Sequence, residues 1–172
     1  MKRSNFMETC LLIIFTLLCI ACFPVNPLVL SGVLETAYYL PLFIIGWIVW
    51  TIGMVLVMAP FVMFPRHGGI AKGKSIVHTT RLVDSGIYSI VRHPQYLGGI
   101  LALFLANLLF YPHWLFVVLG VPGVLITYFG TIWEEKRLIE RFGDDYVAYM
   151  ERVPRMNIIQ GIIRRRREAK LE

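Results

Sequence analysis

Three stretches of this chain, Thr9–Leu34, Thr36–Pro65 and His93–Trp133, hold no Asp, Glu, Lys or Arg. An apolar helix of about 20 residues crosses a hydrocarbon core. In lipid, only a helix or a closed barrel satisfies its own backbone polar groups. The stretches therefore predict an all-α, polytopic membrane protein with about four transmembrane helices. The expected spans are residues 7–22, 37–63, 95–111 and 113–133, within a single membrane domain covering 1–172. The third stretch is too long for one crossing. Tyr111-Pro112-His113-Trp114 divides it into two arms, which predict a tight antiparallel helical hairpin.

Charge supplies the orientation. The seventeen Lys and Arg residues occupy Lys2 and Arg3, the interval from Arg66 to Arg92, and the interval from Lys136 to Lys170. Four crossings place all three islands on one side, the positive-inside pattern, so both termini are expected in the cytosol. The chain is 57% hydrophobic and only 16% charged, so its net charge of +6 argues for membrane lipids as partners and against nucleic acid. The Arg164–Arg167 run is expected against anionic headgroups. Cys10, Cys19 and Cys22 lie in or beside the first span and read as packing residues, not a disulfide framework. Lys2-Arg3 followed by Leu11–Ile20 resembles a signal peptide but is expected to stay as an anchor, with Pro24 and Pro27 at its exit.

Two cytosolic segments carry the polar chemistry. The loop 66–94 begins with a glycine-rich stretch, Arg66 to Ser75, whose spacing fits neither a P-loop nor a dinucleotide fingerprint and suits a flexible linker. It ends in the dense polar motif Arg81–Tyr96. Pro94 suits the first turn of the third span, where a missing N–H does no harm. His93 then stands at a helix entrance that favours an anion, with Arg92 just outside it. The tail 134–172 begins with Glu134-Glu135, and short cytosolic helices are expected along it. Gly143 is expected to end one in a left-handed conformation, and Asp144 to cap another that runs through Tyr149 to near Pro154.

The hairpin brings Glu134-Glu135 to the level of the Gly86–Tyr96 segment. The two carboxylates project about 100° apart on a helix, so one is expected to face a site and the other to orient a neighbour. Each residue also has a structural reading: Arg92 snorkelling to headgroups, Tyr88 and Tyr96 as interface aromatics, the glutamates as a solvated helix end. Their meeting at one face of one hairpin favours a site. His67, His78, His93 and His113 lack paired ligand spacing, so no metal is expected. No nucleophile elbow or Cys/His pair for covalent catalysis is present.

Gly86-Ile87-Tyr88, then Arg92-His93-Pro94-Gln95-Tyr96-Leu97-Gly98, then Glu134-Glu135 and Phe142 to Tyr149 resemble the integral-membrane methyltransferases, which include isoprenylcysteine carboxyl methyltransferases and phospholipid N-methyltransferases. The resemblance implies S-adenosylmethionine as cofactor and a lipid-like or small hydrophobic methyl acceptor. It implies cofactor contacts at Thr80, Arg81, Leu82, Val83, Tyr88, His93, Pro94, Gln95, Tyr96, Glu134 and Glu135, with His93 and Arg92 as the candidate catalytic residues. The isoprenylcysteine enzymes carry an arginine about one turn before the acidic pair. Here Tyr128, Phe129, Gly130 and Thr131 stand there, so a lipid amine or another small membrane-soluble acceptor fits at least as well. The alternative is an NADPH-dependent membrane reductase of the sterol type, which shares the Arg-His-Pro-x-Tyr element.

Overall fold

A computed structural model describes residues 29, 31–32, 35–69 and 80–170. The expected first span, 7–22, and residues 70–79 of the glycine-rich loop lie outside them. Among the described residues the secondary structure is helical, without strands.

Helix α1 spans Leu40–His67, helix α2 Pro94–Phe110, and helix α3 Trp114–Phe142. Two shorter helices follow, α4 over Asp144–Arg152 and α5 over Ile158–Glu168. α1 and α3 are long and apolar enough to cross a membrane. Only 17% and 28% of their most apolar windows are buried, so they are not the core helices of a water-soluble domain. Exposed Ile44, Ile48, Ile52 and Val55 on α1, and Val117, Val121 and Leu125 on α3, give both helices the outward apolar surface that a helix facing lipid carries.

The described residues form two compact units. The first takes residues up to Val55 and Gly98–Ile132; the second takes Leu56–Leu97 and residues from Trp133 on. In the first unit, helices approach through glycines, as expected where lipid offers no hydrophobic drive. A Cβ on Gly53 would stand 2.8 Å from the Ala102 nitrogen and the Gly98 oxygen. Gly120 and Gly123 face the Phe104 ring, and Gly46 faces Phe110. Phe110 also packs its ring against Phe43 and Trp47, with centroids 5.5 and 5.2 Å apart. α2 contains a π-helical stretch, Ile100–Leu105, in which Ala106 N–H reaches back to the Leu101 carbonyl.

α2 and α3 are separated at Tyr111–His113, where the sequence predicts the break. His113 caps α3: its Nδ1 accepts from Leu115 N–H at 3.2 Å. α3 does not pause at the end of the expected span but runs on through Glu134 and Glu135 to Phe142. Gly143 ends it with φ +60°, and Ile139 accepts its N–H. Asp144 does not cap α4, contrary to expectation. Gly143 occupies that place without a side-chain cap, and Asp144 is already helical. α5 is an element the sequence reading did not foresee.

The second unit is built around Tyr146, Tyr149 and Val153, packed with Leu82, Leu138, Ile139, Phe142 and Met150. α4 thus turns its aromatic face onto α3 and onto the strip before Tyr88.

Candidate functional site

Every residue of the site belongs to the second unit. Gly86, at φ +61°, starts a tight turn, Gly86–Ser89, that buries Tyr88. The turn closes with Ile90 and Val91 N–H groups on the Ile87 carbonyl, both at 3.0 Å. Arg92 and His93 follow, and Pro94 opens α2 in the first-turn position expected of it.

The last turn of α4 and the chain after it hold this entrance. Arg92 N–H donates to the Pro154 carbonyl at 3.0 Å, and His93 N–H donates to the Arg155 carbonyl at 3.1 Å. Tyr149 O–H donates to the Tyr88 carbonyl at 2.6 Å. Tyr88 O–H reaches Gln95 Oε1 at 3.3 Å. The backbone donors before α2 are therefore satisfied by a segment some sixty residues away, in keeping with the rule that buried N–H groups find partners.

Glu135 is the electrostatic hub. It is 3% exposed. Its Oε1 accepts from Arg92 Nη2 at 2.9 Å, from Arg155 Nε at 3.0 Å and from His93 Nε2 at 3.3 Å. Arg155 Nη2 binds the other oxygen, completing a bidentate pair. Burial alone raises a carboxyl pKa, but hydrogen bonds from His93 and Arg155 and the charge of Arg92 outweigh it and hold Glu135 at about 2. An ionised carboxylate only accepts, so His93 Nε2 carries a hydrogen.

Glu134 points elsewhere, as the spacing on a helix requires. It lines a cavity of about 90 Å³ together with Arg81, Leu82, Val83, Tyr88, Arg92, His93, Gln95 and Tyr146. Three buried polar atoms on these lining residues lack a hydrogen-bond partner: Arg92 Nε, Glu134 Oε2 and Tyr146 Oη. Burial, then the charge of Glu134, pushes the Tyr88 phenol well above its ordinary range; burial and then Glu135 do the same to Tyr146. Both phenols stay protonated and able to donate.

The remaining expected residues do not line the cavity. Thr80 ties the loop to the end of α1, its Oγ1 donating to the Gly69 carbonyl at 2.6 Å. Pro94 shapes the helix start. Tyr96 stacks edge-on to His93 with centroids 5.6 Å apart. Glu135 braces Arg92 and His93. Sequence reasoning missed Arg155 altogether, since nothing in a lone arginine after Pro154 shows which acid it meets. It placed Phe142 and Tyr146 within the tail segment that carries the family resemblance, without giving either a contact in the site.

The family model for phospholipid methyltransferases matches residues 41–145, from α1 to the start of α4. The chain belongs to this family. Methanethiol S-methyltransferase of Pseudomonas deceptionensis is 30% identical over 128 residues, covering 72% of this chain and 44% of that protein. Methanethiol S-methyltransferase 1 of Bradyrhizobium diazoefficiens is 39% identical over 67 residues, covering 39% of this chain and 22% of its own length. The chain thus spans less than half the length of these curated relatives. No solved structure matches. The family match carries Tyr88, Arg92, His93, Glu134 and Glu135 but stops before Tyr146 and Arg155.

Proposed function

We propose that this phospholipid methyltransferase family member is a multi-pass membrane methyltransferase. It takes a methyl group from S-adenosylmethionine and delivers it to a small membrane-soluble acceptor. The observation that carries the reading is the trio of partnerless buried atoms on one cavity, two donors and one acceptor. A buried donor or acceptor left unmade costs about 1–3 kcal/mol, so such a trio is suited to a ligand of matching polarity. The amino-acid end of S-adenosylmethionine has that polarity. Arg92 Nε–H and Tyr146 O–H suit its carboxylate; Glu134 suits its ammonium. A cavity of about 90 Å³ suits this end, not a whole nucleoside.

When bound, S-adenosylmethionine supplies an electrophilic methyl on a sulfonium. The chain's own task is alignment, and well-oriented pairs gain roughly 7–11 kcal/mol at the upper end. Glu135 serves that task by fixing Arg92 and His93 on one carboxylate, while Pro154 and Arg155 hold their backbone. With Nε2 committed to Glu135, His93 keeps Nδ1 as the nitrogen able to take a proton when the ring is neutral, which a thiol or ammonium acceptor requires.

The acceptor class we favour is a small thiol, because both relatives are named for methylating methanethiol. A lipid amine is the second reading, favoured by the family's description. The proposed topology is four crossings with both termini in the cytosol, the donor entering from the cytosol and the acceptor from lipid. Calorimetry of the purified protein with S-adenosylhomocysteine and with NADPH tests the cofactor: binding of NADPH alone overturns the reading. Membranes given methyl-labelled donor and a thiol should place label in the volatile fraction; label in lipid instead would select the amine.

A further inference from the structure

We propose that α5 is an interfacial foot, seating its outer face on a bilayer surface that carries anionic lipid. The inner face of this helix is already committed. Gly161 is buried against Ile90, where an added Cβ would collide with the Ile90 carbonyl oxygen. Arg164 Nη1 donates to the Glu151 carbonyl at 2.9 Å and the Arg152 carbonyl at 3.5 Å, so it closes the C-terminal end of α4. Arg164 thus leaves the basic run that the sequence assigns to headgroups; Arg165, Arg166 and Arg167 stay exposed. Asn157 Oδ1 caps the helix by accepting from Gln160 N–H at 3.0 Å.

These contacts fix the rotation of the helix. At about 100° per residue, Gly161 and Arg164 share one side, and Ile159, Ile163 and Arg166 share the opposite one. Ile159 is 72% exposed, Ile163 46% and Ile162 36%. The outer face therefore begins with isoleucines and ends with arginines. It matches a surface that offers apolar depth and negative charge within one helix length, roughly 16 Å. The boundary between anionic headgroups and acyl chains is such a surface. A protein that already carries two helices long enough to cross a membrane keeps that surface at hand. Acidic protein surfaces share the charge but not the apolar depth.

The test uses the full chain with Cys10, Cys19 and Cys22 replaced by serine. Ile163→Cys carries a spin label, and single copies sit in nanodiscs of phosphatidylcholine with or without phosphatidylglycerol. Collision with oxygen over a water-soluble nickel chelate reports depth. The expected result is a buried label in anionic discs. Replacing Arg165, Arg166 and Arg167 with glutamine should shift the partition toward water by on the order of a hundredfold at low salt. An identical label in the first unit, at exposed Val121, reports whether the variant still folds in the disc. A label at residue 163 that stays in water in every disc overturns the proposal. So does one buried only when copies pair in detergent, which marks a face for a second copy. The readout is independent of methyl transfer.

Discussion

Two adjacent glutamates divide the labour of the site. Glu135 is enclosed by three cationic or hydrogen-bonding side chains, and Glu134 keeps an oxygen without a partner. Removing one member of a buried charge cluster costs roughly 3–5 kcal/mol, because the partners stay buried and uncompensated. Glu135→Gln is therefore expected to lower thermal stability by about that amount in detergent. The pH dependence has a definite sign. Glu135 sits at about 2 in the folded protein against an ordinary 4.5, so its contribution is full above about pH 4.5 and is lost as pH falls toward 2. Unfolding followed across that window should show a slope that Glu135→Gln removes. Tyr146→Phe should leave the fold intact and weaken S-adenosylhomocysteine binding by up to roughly tenfold, the worth of one hydrogen bond. Binding of methylthioadenosine, which lacks the amino-acid end, should not change. Equal weakening of both ligands would show that Tyr146 acts through packing instead.

At the scale of elements, glycines set how closely helices approach. Gly53 meets backbone atoms of Gly98 and Ala102, which have no rotamer by which to move aside. Gly53→Ala should cost about 1–3 kcal/mol of stability, the usual penalty of overpacking. Gly99, also helical, has nothing within 4 Å of an added Cβ. Gly99→Ala should be neutral or slightly stabilising, since alanine is the better helix former by up to about 1 kcal/mol. Melting both variants in one detergent checks the pair, and equal melting points would refute the close approach. The continuous α3 is the element with the clearest consequence for the site. Because no loop intervenes at Trp133, the two glutamates inherit their divergence directly from helical geometry.

At the scale of the molecule, the positive-inside pattern predicts that a C-terminal tag is digested by protease added to inverted membrane vesicles and protected in right-side-out ones. The reverse result would invert the proposed topology. The order of residues by itself determined the helical class, the break at Tyr111–His113, the Pro94 helix start and the divergence of Glu134 from Glu135. Each of these follows from local rules: the absence of charge over a crossing length, proline's missing N–H, and the turn of a helix. The order of residues did not show that Arg155 binds Glu135, that Pro154 and Arg155 carbonyls hold the Arg92–His93 backbone, or that Tyr146 borders the same cavity as Glu134. Nor did it separate Arg164 from the arginines beside it. Those facts depend on which distant segment satisfies a buried charge or a backbone donor, and only the packing of α4 and the chain beyond it against the start of α2 decides that.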